Sequence, residues 1–239
     1  MSIVYVDLEH SRVVQDPILG VSHQNRLLAT RARLAEAAGE PCEVMRFEDV
    51  TFDRIRILNP TAMVVSGNTA DWIEYDFSTL AALLETIRAA PIPILGICGG
   101  HQLIGYAHGA PWGPLGTMPL GAIDPDPRFA PELRKQRGFL PVDVDASSPL
   151  FQGMDDSAVV FQSHYWQLTG VPPGFAICAS SPHSPIQAIA RGDRPVFGVQ
   201  FHAERYDDQH RDGETVLRNF FAIARVKAPS SVAAASSRS

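Results

Sequence analysis

A cysteine that directly follows an apolar segment is the residue whose sequence context best fits a nucleophile. Residues 94–97 form that segment, Cys98 follows it directly, and Gly96 and Gly100 stand two residues before and after the cysteine. This spacing is the cysteine counterpart of Gly-x-Ser-x-Gly, the sharp strand-to-helix turn called a nucleophile elbow. Glycines are needed there because side chains would collide with neighbouring backbone at a strained turn. The pattern therefore predicts that Cys98 is a catalytic thiol.

The predicted elbow also defines the surroundings of the sulfur. A parallel strand that runs into a helix presents its last side chain at the carboxyl end of the sheet, where open α/β folds bind ligands. The helix N-terminus favours the thiolate, and the amide of Gly99 would point towards a developing oxyanion. The alternative for Cys98 is a small buried apolar side chain, and we keep that interpretation for Cys42 and Cys178, which lack such a context.

A histidine and a glutamate later in the chain could supply the base that a thiol nucleophile needs. An apolar segment, residues 195–201, ends at His202, and Glu204 follows two residues later. In an extended chain, residues i and i+2 point to the same face, so Glu204 could accept from one ring nitrogen while the other faces the thiol. A purely structural pair is the alternative for an isolated His-x-Glu motif, but its combination with the elbow favours a catalytic triad.

A zinc site is a rival interpretation of this region, because side chains able to bind metal cluster there. They are His202, Glu204, Asp207, Asp208 and His210. The cysteine pair of the zinc deaminases is missing, and the sequence contains no His-Glu-x-x-His motif. We therefore predict neither a metal nor another cofactor.

The elements that must position these side chains alternate between strand and helix in the first half of the chain. We predict strands at 3–8, 43–47, 61–66 and 91–97, and helices at 25–38, at 77–90 and directly after Cys98. Such alternation indicates parallel βαβ units in an open sheet. In the second half we predict strands at 140–144, 157–162, 175–179, 185–191 and 195–201, and a helix at 213–225.

Two stretches interrupt this pattern. Residues 109–141 are rich in proline and glycine, which predicts a loop with short β elements. Its role stays open between a docking or lid surface and a plain surface loop. Residues 227–239 are rich in Ala and Ser without apolar periodicity, so we predict a disordered tail after one domain at 1–226.

The composition narrows the class of protein. The chain has 239 residues, a net charge of −6, 45% hydrophobic and 19% charged residues, as is typical of a soluble globular domain. The acidic balance argues against non-specific nucleic-acid binding, and the sequence shows neither a membrane-spanning apolar run nor a signal peptide. Three cysteines without a disulfide framework indicate a reducing compartment, so we expect a cytoplasmic protein.

The two reactive segments together resemble those of the class I, triad-type glutamine amidotransferases. Gly96-Ile-Cys-Gly-Gly-His-Gln102 and Gly198-Val-Gln-Phe-His-Ala-Glu204 have that family's order, contexts and spacing, and the resemblance covers about residues 1–225. It implies a flavodoxin-like α/β fold, with an open, mostly parallel sheet flanked by helices and with extra antiparallel strands. It also implies that Cys98 attacks the glutamine side-chain amide to form a γ-glutamyl thioester and release ammonia, with His202 as base and acid and Glu204 as its orienter.

The resemblance implies further roles around these three residues. The segment 66–68, Ser-Gly-Asn, matches the family's oxyanion loop, so backbone amides around Gly67 and Gly99 would form the oxyanion hole. The residues implied to bind the substrate are Asn68, Gln102, Ser163 and His164. Among them, Gln102 matches the family's glutamine after the elbow, which helps to hold the substrate.

Three positions depart from the family pattern. Ala203 stands where the family has proline, and Asn68 replaces the second glycine of the oxyanion loop. Trp166 stands where the family often has an acidic residue that can bind the ammonium group of the substrate. The last departure leaves open whether free glutamine is the substrate.

We predict a glutaminase or amidotransferase that supplies ammonia to a separate acceptor synthase, because the chain has no Walker A motif and no room for a synthetase domain. The first alternative is a γ-glutamyl hydrolase that cleaves a γ-glutamyl amide or peptide, since Tyr165 and Trp166 could form an apolar wall for a larger leaving group. The second alternative is a non-catalytic partner or regulatory module of a synthase.

Overall fold

The computed structural model describes residues 1–127 and 129–227, and most of its strands form one large sheet between helices. The strands are β1 (Ile3–Asp7), β2 (Cys42–Arg46), β3 (Met63–Val65), β4 (Ile94–Ile97), β5 (Trp112–Pro114), β6 (Gln136–Val144), β7 (Ser157–His164), β8 (Trp166–Leu168), β9 (Phe175–Ser181), β10 (Ser184–Arg191) and β11 (Val196–Val199). The helices are α1 (Ser11–Gln15), α2 (Leu19–Ala38), α3 (Phe52–Leu58), α4 (Ala81–Ala89), α5 (Gly99–Ala107) and α6 (Asp212–Lys227). Apart from Lys227, which ends α6, the predicted tail lies outside the described residues.

The main sheet has nine strands in the order β2-β1-β3-β4-β11-β10-β9-β6-β7. The first five strands of this order run parallel to one another and repeat the 2-1-3-4-5 order of flavodoxin-like folds. Strands β10, β9, β6 and β7 continue the sheet with antiparallel pairing. The predicted fold class is therefore confirmed, including its extra antiparallel strands.

Side chains alternate between the two faces of the sheet. Along β1, Ile3 and Tyr5 join an apolar cluster that includes residues of α2 and α6, whereas Val4 and Val6 join a cluster that includes residues of α4 and α5. Helices are needed on both faces because a parallel sheet buries both of its sides. The two helix layers leave free the edge where β1, β3, β4 and β11 end side by side, and residues that follow these strands build the site.

The predicted elements match the structure except near their ends. Helix α2 starts at Leu19 rather than at residue 25, and it ends before Gly39, whose φ of 63° is the left-handed conformation of a glycine C-cap. Helix α4 is shorter than the predicted 77–90, because residues 77–80 form turns. The short helices α1 and α3 are absent from the sequence-based prediction.

The segment 109–141 has the predicted character of a loop with short β elements. It contains β5, an isolated bridge between Thr117 and Leu133, and the start of β6. Strand β5 pairs with β8 in a separate two-stranded sheet. In the part of the chain that the structure describes, no helix has the length and apolar character needed to cross a bilayer.

Candidate active site

Cys98 lies at the sharp turn between β4 and α5. Its φ of 51° and ψ of −106° fall outside the regions that residues other than glycine favour, and strain of this kind is concentrated at functional sites. The backbone N–H of Cys98 donates to the carbonyl of Val199 at 2.8 Å, so β11 holds the turn from one side. The residue is 5% exposed and stands at the N-terminus of α5, where the helix dipole favours an anion.

Close packing explains the two glycines that flank the elbow. A Cβ atom on Gly96 would lie 2.4 Å from the carbonyl group of Gly100, and a Cβ atom on Gly100 would lie 2.3 Å from the carbonyl oxygen of Val65. Both neighbours are backbone atoms, which cannot move aside as a flexible side chain can. The elbow therefore requires glycine at both positions, for the steric reason that its spacing predicts.

His202 and Glu204 meet beside the elbow. Glu204 Oε1 lies 2.7 Å from His202 Nδ1, and the backbone N–H of His202 donates to Phe161 in β7 at 2.8 Å. The route to this contact differs from the predicted extended chain. Strand β11 ends at Val199, and a turn follows in which the N–H of Arg205 donates to the carbonyl of His202 at 3.0 Å. The turn, rather than strand periodicity, brings the carboxylate to the ring.

The two side chains change each other's proton affinity. Burial disfavours the imidazolium form, but the Glu204 carboxylate and Cys98 outweigh it and raise the pKa of His202 to about 10. Burial likewise disfavours the carboxylate, yet the neighbouring imidazolium holds the pKa of Glu204 below its ordinary value. The site thus favours a positively charged ring between a carboxylate and the sulfur of Cys98, which is the environment of a reactive cysteine.

A cavity of about 610 Å³ is lined by His202 and Glu204, whereas Cys98 is buried behind its wall and is not a lining residue. Residues singled out from the sequence that line it are Gly67, Asn68, Ser163, His164, Tyr165, His202 and Glu204. A Cβ atom on Gly67 would lie 3.1 Å from His202 Cε1 and 3.2 Å from Cys98 Cβ. The absence of a side chain at Gly67 therefore lets the loop after β3 approach both residues.

Glu9, at the carboxyl end of β1, holds the loop after β3. Its carboxylate accepts the backbone N–H groups of Thr69 at 2.9 Å and of Ala70 at 3.2 Å. Glu9 was not among the site residues predicted from the sequence. Its place directly after a strand of the parallel sheet was the available signal, because ligands bind at that end of the strands.

Gln102 does not line the cavity. It is 2% exposed, its side-chain carbonyl accepts the indole N–H of Trp72 at 2.6 Å, and its amide donates to the Trp166 carbonyl at 2.8 Å and to the Gln200 side chain at 3.0 Å. Both amide hydrogens are used within the chain, so the structure does not place Gln102 where the resemblance implies contact with the substrate. Gln200 lies inside the histidine motif but was not predicted as a site residue, and its Nε2 is 3.7 Å from Cys98 Sγ.

Ser163 and His164 lie at the end of β7, close to the elbow. The Ser163 carbonyl is 3.9 Å from Cys98 Sγ, and its hydroxyl accepts from Arg137 at 2.7 Å. His164 is buried, and desolvation lowers the pKa of His164 to about 4, so this ring is neutral at neutral pH. One ring nitrogen lies 2.9 Å from the Trp166 carbonyl, which ties the ring to β8.

Trp166 is half-buried and packs against neighbouring apolar side chains rather than lining the cavity. Its ring centroid lies 5.7 Å from that of Trp112, and it packs against the apolar cluster that contains α4 and α5. Of the expected aromatic pair, Tyr165 lines the cavity and Trp166 does not. The apolar wall that the two side chains were expected to form together is therefore absent from this cavity.

Positively charged side chains also line the cavity. They are Arg26, Arg33, Lys135, Arg137 and Arg205. Arg33 donates to the backbone carbonyl of Glu204 at 2.6 Å, and Arg205 lies 3.8 Å above the ring of Phe161. Two of these cations already pair with carboxylates of the chain, Lys135 with Asp124 at 2.5 Å and Arg137 with Asp126 at 3.4 Å. The guanidinium groups on this wall can bind a further carboxylate, such as the acidic end of a small substrate.

Comparisons with known proteins agree with this geometry. The sequence model of the family described as glutamine amidotransferase class-I matches residues 26–224. Two relatives named GMP synthase (glutamine-hydrolyzing), from Acetivibrio thermocellus and Lactococcus lactis, are 30% and 32% identical to the chain over 199 residues, covering 82% and 83% of it. The matched parts are 33% and 34% of those relatives, so the chain spans about one third of their length.

Solved structures share the fold. A protein from Thermoplasma acidophilum, described as a candidate component of GMP synthase, superposes with a TM-score of 0.70 at 22% identity, covering 95% of this chain and 94% of that one. A glutamine amidotransferase from Thermotoga maritima gives a TM-score of 0.61 at 14% identity, covering 96% and 98%. At these identities the likeness is one of fold.

Proposed function

Because the chain belongs to the class I glutamine amidotransferase family, we propose that a Cys98-His202-Glu204 triad hydrolyses the side-chain amide of glutamine. The observation that carries the proposal is a strained cysteine elbow beside a histidine whose Nδ1 lies 2.7 Å from Glu204 Oε1. A nucleophile, a base and an orienting carboxylate are the parts that covalent amide hydrolysis needs. Residues 1–226 would form one domain that carries this site.

The reaction proceeds through a thioester. His202 takes the thiol proton, and the Cys98 thiolate attacks the side-chain carbonyl carbon. Amides around Gly67 and Gly99 stabilise the oxyanion; Gly99 is the first residue of α5, so its N–H has no acceptor within the helix. The C–N bond breaks as His202 protonates the leaving ammonia. Water that His202 deprotonates then attacks the thioester, and cleavage of the C–S bond releases glutamate and restores the thiol.

We assign the acidic end of the substrate to the charged wall of the cavity. Arg137, which donates to the Ser163 hydroxyl at 2.7 Å and pairs with Asp126 at 3.4 Å, is the proposed partner of the substrate α-carboxylate. The amino end of the substrate does not meet the acidic residue that the family often has, because Trp166 occupies that position in the sequence. Acetylation of the substrate's amino group, as in N-acetylglutamine, should therefore lower the rate of hydrolysis less here than in an enzyme that binds the ammonium group through a carboxylate.

A synthase is the proposed recipient of the ammonia. The relatives' name joins glutamine hydrolysis to a synthase, and the chain matches about one third of their length. This supports a division of labour in which other residues, on this or another chain, carry the acceptor reaction. The three cysteines of the described residues are free thiols, which supports a reducing compartment such as the cytoplasm.

Ammonia release from glutamine tests the proposal. The purified chain is assayed alone and with a synthase that lacks its own glutaminase, and Cys98→Ala serves as the matched control. Absence of release by the wild-type chain under both conditions would overturn the proposal and favour a non-catalytic module. A strong preference for γ-glutamyl amines or peptides over glutamine would instead favour the γ-glutamyl hydrolase alternative, which is less well supported because Trp166 does not line the cavity.

A further inference from the structure

A line of buried hydrogen bonds runs from an indole to the sulfur of the elbow. Trp72 Nε1 lies 2.6 Å from Gln102 Oε1, and Gln102 Nε2 lies 3.0 Å from Gln200 Oε1. Gln200 Nε2 in turn lies 3.7 Å from Cys98 Sγ, within the range for a sulfur acceptor. The three polar side chains are at most 3% exposed. Solvent therefore does not compete for these groups.

The chemistry of the first donor sets the direction of every amide in this line. An indole N–H can only donate, so Gln102 must turn its carbonyl oxygen towards Trp72. Its NH₂ group then faces the opposite way, where the backbone carbonyl of Trp166 accepts one hydrogen at 2.8 Å. The second hydrogen of this NH₂ group points to Gln200. The acceptor there must be the side-chain carbonyl oxygen of Gln200. The NH₂ group of Gln200 is thereby aimed at Cys98.

We propose that Gln200 is a catalytic hydrogen-bond donor to the Cys98 thiolate, and that Trp72 and Gln102 are positioning residues that hold its donor end towards the sulfur. The proposal rests on the proposed nucleophilic role of Cys98. A hydrogen bond to a charged group in a buried site is stronger than one between neutral groups. Gln200 transfers no proton in this role, because its amide stabilises the anion while His202 accepts the thiol proton.

Other ionisable groups also act on this sulfur and must remain unchanged in a test. They are His202 and Arg205 from the segment after β11, and Tyr165 from the segment after β7. None of these three groups takes part in the line of amides. A substitution at Gln200 therefore removes one donor and leaves the charged surroundings of Cys98 in place.

The test is the pH dependence of alkylation at Cys98. Methionine at position 200 keeps the length of the side chain and removes the donor. In Gln200→Met, the midpoint of the profile of iodoacetamide alkylation, followed by peptide mass at Cys98, should rise by about one pH unit. Such a rise corresponds to about tenfold less thiolate below the midpoint. Gln162→Met is the matched control, because Gln162 is equally buried and bonds to Gln187 instead.

Trp72→Phe supplies a second test, which preserves an aromatic ring but removes the first donor. Gln102 can then reverse its amide, so the midpoint should rise in the same direction as in Gln200→Met but by less. The proposal is overturned if the Gln200→Met profile coincides with that of Gln162→Met. If Gln200→Met does not fold, a Trp72→Phe profile equal to that of the wild type overturns it.

Alkylation requires no glutamine, so the outcome is separate from that of the proposed function. A shifted profile in a chain that releases no ammonia would support the donor role of Gln200 and contradict glutamine hydrolysis. An unshifted profile in a chain that does release ammonia would contradict the donor role alone. In an active chain, Gln200→Met should also lower kcat more than it raises KM, because the donor acts on the nucleophile rather than on substrate binding.

Discussion

Gly99 and Asn68 approach so closely that a Cβ atom on Gly99 would lie 1.9 Å from Asn68 Oδ1. Gly99 follows the nucleophile at the start of α5, and Asn68 belongs to the loop after β3. The Asn68 side chain is held in this position because its Nδ2 donates to the Ala70 carbonyl at 2.8 Å. The two segments that we propose to supply the oxyanion hole therefore pack closely against each other.

Gly99→Ala should push these two segments apart. We expect kcat for glutamine hydrolysis to fall by about tenfold to a hundredfold, since displacing an oxyanion donor should cost less than the roughly 10²–10³-fold effect of losing one. Asn68→Gly removes the atom that the new methyl group meets. The Gly99→Ala/Asn68→Gly double variant should consequently recover most of the lost rate, measured as ammonia release at saturating glutamine.

Asn68→Gly alone is the control for this rescue. It introduces the glycine that the family often carries in the oxyanion loop. Its rate should stay within about threefold of the wild-type rate, a much smaller change than the removal of an oxyanion donor would cause. If the double variant is no more active than Gly99→Ala, the contact with Asn68 is not what restricts position 99.

Substitutions in the triad should lower kcat by different amounts, depending on which atoms each side chain contacts. Cys98→Ala and His202→Ala should each lower kcat by several powers of ten, because both groups act on the reacting atoms. Glu204→Gln should cost less, because Glu204 acts through the ring of His202. Thermal unfolding of each variant shows whether it is folded. A folded Cys98→Ala variant that retains more than about one hundredth of the wild-type rate would contradict the assignment of the nucleophile.

Cys98 should be the first thiol to react with iodoacetamide at neutral pH. Burial raises the pKa of Cys42 and of Cys178 to about 12, so both stay protonated, and the thiolate is the reactive form. Cys98 instead faces the charged ring of His202 at a helix N-terminus. Peptide mapping after brief labelling should find Cys98 modified well ahead of the other two. Equal labelling of all three in the folded chain would refute the elbow assignment.

Glu9→Gln should loosen the loop after β3, which Glu9 holds from the cavity wall. The Glu9 carboxylate accepts the N–H groups of Thr69 and Ala70, and an amide in its place turns one acceptor into a donor. We expect a fall in kcat of about tenfold from a misplaced oxyanion amide, and a loss of about 1–3 kcal/mol in the free energy of unfolding. Glu43→Gln, at an exposed carboxylate that accepts from the Ser2 hydroxyl, should change neither the rate nor the stability. Equal rates for Glu9→Gln and wild type would show that the loop does not depend on Glu9.

Two features of the site could be predicted, namely the tight turn at the elbow and the contact between the histidine and its carboxylate. Both are formed by residues that are close in sequence. The glycines at positions 96 and 100 indicate the tight turn at Cys98, and His202 and Glu204 are two residues apart. The fold class was also predictable, since alternating strands and helices permit few arrangements once connections must be right-handed.

The remaining contacts of the site join segments that are distant in sequence. Gln102 has the motif position of a substrate ligand, but Trp72, 30 residues away, takes its carbonyl. Glu9 binds backbone groups 60 residues further on, and nothing in the spacing of either segment indicates this. The packing of Trp166 away from the cavity likewise depends on Trp112 across a second small sheet.

The His202–Glu204 pair should make the stability of the chain depend on pH in a defined direction. The pKa of His202 is raised from 6.5 to about 10, so its contribution is fully present below about pH 6.5 and is lost as the pH rises towards 10. The pKa of Glu204 is lowered from 4.5, so its contribution is present above pH 4.5 and is lost as the pH falls through the lowered value. The pair should therefore stabilise the fold most between about pH 4.5 and 6.5.

Urea unfolding of the wild type and of Glu204→Gln across this range measures the effect. Within the window, the variant should lose about 3 kcal/mol in the free energy of unfolding, because it leaves a buried charge without its partner. The loss should shrink by about pH 9, where His202 begins to lose its proton and the carboxylate of the wild type loses its own partner. A loss that stays constant from about pH 5 to 9 would mean that Glu204 stabilises the fold by packing rather than by its charge.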